Sequence, residues 1–112
     1  MACAGSCRER GVPAYGLPDV KRAFSSARYR LSGRVERHLY AEGLSKRAVL
    51  ECVAAMGAGS FHKSQELRDS ICVWADIYRP YWSGERWYVK FTRDDRGGGF
   101  CVLTFCRDGE AH

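Results

Sequence analysis

At 112 residues, 46% of them hydrophobic and 12% aromatic, the chain has the size and composition of one domain with a single modest core, which excludes disorder except at the ends. The net charge of +5 is unevenly placed, since residues 1–47 hold ten Lys or Arg against four acids and residues 48–112 hold eight against nine. No run approaches the ~18 apolar residues of a membrane span or forms the apolar stretch of a signal peptide, so the expectation is a cytosolic protein with its six cysteines reduced.

Fourteen of the eighteen basic residues are Arg, whose planar fork suits bidentate pairing with phosphate or carboxylate, so the expected partner is a polyanion, RNA or an acidic protein. Residues 1–16 lack hydrophobic period and read as a flexible or loosely docked N-terminal tail, with Cys3-x3-Cys7 too isolated for a zinc site. Pro18 and Asp19 start a helix whose stripe is Val20, Ala23, Phe24 and Ala27. Residues 29–32 read as a short extended piece. Gly33 then opens a second helix through Val35, Leu39 and Tyr40, stopped by Gly43, and Ser45 caps a third with the stripe Val49, Cys52, Val53 and Met56. Ser60 is expected to cap one further helical turn carrying Phe61, His62, Lys63 and Ser64.

After Asp69 the period becomes alternating. Ile71, Val73 and Ile77 oppose Trp74, Asp76 and Tyr78, the strand ends at Arg79-Pro80, and Ser83-Gly84 turns the chain. Trp87, Val89 and Phe91 then form an apolar face, with Arg86, Tyr88, Lys90 and Thr92 on a polar, basic one. Residues 93–99 make a glycine-rich hairpin, and Phe100–Phe105 form a strand apolar on both faces. Helices first and antiparallel strands second imply an α+β domain with the N-terminal helices packed on a C-terminal antiparallel sheet. The expected layout is a tail of residues 1–16, one domain over 17–107 and a short tail of 108–112.

The period of two puts Tyr88 and Lys90 on one sheet face. A turn bearing His62 and Lys63 above that face would complete a cleft of proton-carrying groups. Cleaving RNA by transesterification requires a base for the 2′-OH, an acid for the 5′-oxygen and cations for the charge growing on phosphorus. His62, Lys63, Tyr88, Lys90 and Arg79 supply all three types. Tyr and Lys need shifted pKa values to act as base near neutrality, whereas His62 does not. Tyr81 and Trp82, in a turn, are the candidates for base stacking, and Trp87 reads as core.

The segments Val20-Lys21, Gly43-Leu44, Phe61-His62-Lys63-Ser64, Trp74-x-Asp76-Ile77-Tyr78-Arg79-Pro80 and Tyr88-Val89-Lys90, spread between about Leu17 and Arg107, resemble the MqsR (motility quorum-sensing regulator) toxin family. The resemblance implies a RelE-like fold and an endoribonuclease that cuts mRNA without a metal or other cofactor and halts translation. It also implies a cognate antitoxin as partner and contact with DNA only through the antitoxin complex, and the lack of a long apolar run leaves no membrane among the expected partners. The family's motif lysine falls on Lys63 and its strand tyrosine on Tyr88. A glutamine expected after the motif tryptophan is Ala75 here, a lysine expected after Phe105 is Cys106, and His62 stands where tyrosine is common. Arg107, next to Cys106, is the candidate replacement cation and joins Arg79, Tyr81 and Trp82 as RNA-binding candidates. Two non-cleaving alternatives are a degenerate toxin homologue that only holds an antitoxin, and a basic binding module acting through Arg28, Arg30, Arg34 and Arg37.

Overall fold

The computed structural model describes residues 8–67, 73–94 and 98–110. Cys3-x3-Cys7, Ile71, Cys72 and residues 95–97 of the expected hairpin lie outside the described residues. The elements run β1 (Glu9–Arg10), α1 (Leu17–Ser25), β2 (Tyr29–Leu31), α2 (Gly33–Glu42), α3 (Lys46–Ala54), a 3-10 turn (Ala58–Ser60), β3 (Phe61–Glu66), β4 (Trp74–Tyr78), β5 (Tyr81–Trp82), β6 (Glu85–Asp94) and β7 (Gly99–Arg107). This is the α+β order expected, with three helices ahead of most of the sheet.

Each helix forms where a start or stop signal and an apolar stripe coincide. In α1, Pro18 and Asp19 occupy the first turn and Val20, Ala23 and Phe24 are buried. The helix stops short of Ala27, which takes φ 61° while Arg28 N–H donates to the Ala23 carbonyl at 2.8 Å. Glycine is the usual residue in that closing position, so an alanine there gave no sign of the stop. Ser32 caps α2 through Oγ, which accepts from Val35 N–H at 3.2 Å, and Gly43 ends it at φ 70°. Val35 and Leu39 are buried as expected, but Tyr40 is 89% exposed. Ser45 caps α3, which buries Ala48, Val49, Cys52 and Val53, and Met56 is buried just beyond its end.

The strand order is β1-β3-β4-β6-β7-β2, antiparallel throughout except for the β2–β7 pair, with β5 joined to β6 alone. Ser83 and Gly84, both at positive φ (53° and 80°), make the tight turn between β5 and β6. Gly99 has to be glycine, because a Cβ there would lie 1.8 Å from the Arg28 carbonyl oxygen where β2 meets β7.

The helices cover one face of the sheet. Val20, Phe24, Val35, Leu39, Val49 and Val53 meet Tyr78, Trp87, Val89, Phe91, Phe100 and Phe105 in one core. Each such side chain contributes about 1.5–3 kcal/mol by burial. Among the described residues, the other face carries a small apolar cluster, Ile77, Tyr88 and Cys106.

Two expectations need correction. Phe61 to Ser64 do not form a helical turn, because the chain enters the sheet at Phe61. The Ser60 hydroxyl instead closes the preceding turn on Gly57, and the Ser60 carbonyl accepts from Arg79 N–H at 2.7 Å, which docks Phe61 onto Tyr78 at the start of β3. Residues 8–16 are also docked and not loose. β1 extends the sheet edge, the Asp76 carboxylate accepts from Ala14 N–H and Tyr15 N–H at 2.9 and 3.0 Å, and Tyr15 Oη donates to the Trp74 carbonyl at 2.7 Å.

Candidate functional site

The site is built on the sheet face that the helices leave open. Register places Lys63 opposite Ile77, Ile77 opposite Lys90, and Lys90 opposite Thr104. Directly paired residues point the same way, and Tyr88 shares the face with Lys90 two residues on. Lys63 and Tyr88 therefore project from the same side, through β3 itself and not through a turn above it. His62 sits at the register shift between Phe61 and Lys63, where the extra residue of a bulge re-aims a side chain at the rim of a sheet.

A carboxylate and an amide tie the two lysines together. Glu9 Oε2 accepts from Lys63 Nζ at 2.8 Å and from Gln65 Nε2 at 3.3 Å, while Gln65 Oε1 accepts from Lys90 Nζ at 3.1 Å. Gln65 lies directly opposite Ala75, so an amide reaches this part of the face from the neighbouring strand. Arg79 is held at the rim by Asp108, with Nε and Nη2 at 2.9 and 2.8 Å from Oδ2.

Electrostatics divide these groups. Burial pushes the Tyr88 phenol above its ordinary value, with the Lys63 charge opposing. The His62 imidazole is held below its ordinary value by burial and then by the Arg79 and Lys63 charges. The Lys63 ammonium, through its hydrogen bond, holds the Glu9 carboxyl below its usual range. At neutral pH the face therefore presents a neutral imidazole, a protonated phenol and a cluster of fixed cations. Lys63 acts on both His62 and Tyr88 and is their common neighbour.

The other candidates divide between the faces. Arg107 lies on the helix side, over the Trp87 ring at 5.1 Å and ion-paired with Glu42 at 2.9 Å and Glu85 at 3.1 Å. It does not stand in beside Cys106. Trp82 packs edge-on to Trp87 with its Nε1 donating to Glu51 Oε1 at 3.2 Å, also on the helix side. Tyr81 is 65% exposed under the Arg86 guanidinium, 4.4 Å from the ring centroid. Sequence reasoning missed Glu9, Gln65 and Asp108. Asp108 follows the end of β7, Gln65 lies in the stretch misread as a turn, and Glu9 in the segment read as a tail.

Burial raises the pKa of all three described cysteines, Cys52, Cys101 and Cys106, so none is activated as a thiolate. Burial pushes the Cys52 thiol up to about 12 and the Cys106 thiol up to about 11, which leaves negligible thiolate at neutral pH. Among the described residues no three His, Cys, Asp or Glu side chains group as a metal site would, and no helix is long and apolar enough to cross a membrane.

A family model described as "Motility quorum-sensing regulator, toxin of MqsA" matches residues 12–106. Comparison with curated proteins gives no significant match.

Proposed function

Because the chain belongs to the MqsR toxin family, and is thus a toxin of a toxin–antitoxin system with an antitoxin protein as its partner, we propose that its open sheet face is an endoribonuclease site that cuts mRNA and so inhibits translation. The observation that carries this reading is the convergence of Lys63, Tyr88, Lys90, His62 and Arg79 on that face with opposite pKa displacements at His62 and Tyr88. An acid and a base separated in this way can work in one step at neutral pH.

In the proposed step, neutral His62 takes the proton of a ribose 2′-OH, and the 2′-oxygen attacks the adjacent phosphorus. The bond from phosphorus to the 5′-oxygen breaks, and Tyr88 gives its proton to that oxygen. The products are a 2′,3′-cyclic phosphate and a free 5′-hydroxyl. Lys63, Lys90 and Arg79 stabilise the charge that develops on the phosphoryl oxygens, an electrostatic contribution of about 3–4 kcal/mol for a well-placed donor. Glu9 keeps the Lys63 ammonium over the face until a phosphate replaces its carboxylate.

The test is a defined single-stranded RNA incubated with and without EDTA and analysed for a 2′,3′-cyclic end. Wild type is expected to cleave in both, with Tyr88→Phe at least ~100-fold slower, the range of a lost acid–base group, and Lys63→Ala at least ~100-fold slower, the range of a lost electrostatic donor. Equal cleavage by all three proteins would remove the site assignment. Salt-sensitive binding with no product from wild type would leave a toxin homologue that binds without cutting.

A further inference from the structure

A polar cleft of about 250 Å³ lies between α2 and β7, lined by Arg34, His38, Thr104, Cys106 and Glu110 together with Val35 and Phe105. It exists because β2 covers β7 only from Phe100 to Val102. Beyond that point α2 runs beside the bare end of β7, and Arg34 and His38, one turn apart, face it. Two of the lining residues tie the cleft to the proposed cleavage face. Cys106 is the direct partner of Tyr88 and Thr104 the direct partner of Lys90. The cleft is therefore one strand spacing, about 4.8 Å, from Tyr88 and Lys90, while His62 and Lys63 lie two strands further across the sheet on β3.

We propose that this cleft is a nucleotide subsite for single-stranded RNA, in which Arg34 binds the phosphate next to the scissile one and the adjoining base enters between α2 and β7. The proposal rests on the nuclease reading for its place beside the cut. Its ligand class follows from the cleft itself.

The volume falls below the roughly 300–1,000 Å³ of sites for drug-sized ligands, which suits one base or sugar-phosphate unit. Arg34 is exposed and, among the described residues, makes no ion pair or hydrogen bond that would hold its guanidinium elsewhere. Its charge already acts on Cys106. Glu110 spends one oxygen on Arg107 N–H at 3.2 Å and keeps the other, which disfavours a simple anion and favours a ligand pairing phosphate with base N–H donors. His38 Nε2 is buried without a hydrogen-bond partner, a deficit of about 1–3 kcal/mol that a small ring rotation toward a bound base removes.

Fluorescence anisotropy with a 2′-O-methyl RNA hexamer, which binds but lacks the 2′-OH needed for cutting, tests the subsite apart from the chemistry. Arg34→Ala is expected to weaken binding about tenfold and to lower the salt slope by about one. Arg37→Ala, the same charge change on the same helix but outside the cleft, is expected to weaken it less than about twofold. Arg34→Lys recovers only part of the loss, because the bidentate fork is gone. Equal losses for Arg34→Ala and Arg37→Ala, or none for either, overturn the subsite. Should the Arg34 dependence hold while wild type leaves an unmodified RNA intact, the subsite stands and the nuclease reading alone falls.

Discussion

Neutral imidazole and protonated phenol coexist on one face because burial, the largest influence on both, disfavours the charged form of each. For His62, burial and the Arg79 and Lys63 charges all disfavour the imidazolium. For Tyr88, burial outweighs the help that Lys63 gives the phenolate. The sign of each displacement sets a limb of the pH profile. A base with a lowered pKa is lost only as pH falls through that lowered value, so the acid limb of kcat/KM is expected below His62's ordinary 6.5. An acid with a raised pKa is lost only as pH rises through the raised value, so the basic limb is expected above 10. The His62→Gln enzyme should be at least ~100-fold slower and lack the acid limb. An acid limb that persists in His62→Gln would assign the base to another group, and one centred above 6.5 would contradict the direction of the shift.

At the level of elements, what could be read from the chain follows from where the ordering information lies. The three helices were legible because Pro18 starts α1, Ser32, Gly43 and Ser45 lie at the ends of α2 and α3, and each apolar stripe repeats within one segment. The apolar and polar faces of β6 followed from a period of two, which put Tyr88 and Lys90 together in advance. β3 was not legible. Phe61 is its one large apolar residue, and its buried positions are Ser64 and Glu66, the latter held by a bidentate ion pair from Arg8 at 2.7 and 2.8 Å. Its extended form thus depends on pairing with β1 and β4, and the first of these partners is about 55 positions away in sequence. For the same reason Glu9 could not be placed beside Lys63.

Asp76 carries much of this long-range order. It is fully buried, and its carboxylate accepts from the two amides that lead residues 8–16 into α1. Asp76→Ala leaves both donors without an acceptor, at about 1–3 kcal/mol each, so a loss of roughly 2–4 kcal/mol is expected in urea unfolding. The Ala14 and Tyr15 amides should then exchange with solvent faster than those of α3. Unchanged protection at Ala14 and Tyr15 would mean that β1 pairing alone holds the segment.

At the scale of the whole molecule, the sheet separates two populations of charge. The positive excess of residues 1–47 is concentrated on the helix side, where much of it is already paired, as Arg22 with Asp19 and Arg47 with Glu51. Lys63, Lys90, Arg79 and His62 stand on or at the rim of the other face, and the cleft under α2 opens beside them. A helix layer is roughly 10–12 Å thick, more than the Debye length of about 8 Å at physiological salt, so helix-side charges away from the α2 cleft contribute little to an RNA strand lying on the open face. The number of positive charges and their position therefore predict different behaviour. Removing two helix-side charges in Arg22→Ala/Arg47→Ala is expected to leave kcat/KM on RNA within about twofold, since exposed pairs of this kind also add little to stability. Removing one open-face charge in Lys90→Ala is expected to lower kcat/KM at least ~10-fold, the equivalent of about 1.4 kcal/mol of transition-state stabilisation. If the double variant loses as much as Lys90→Ala, RNA responds to net charge alone, and the open face is no more a site than the helices are.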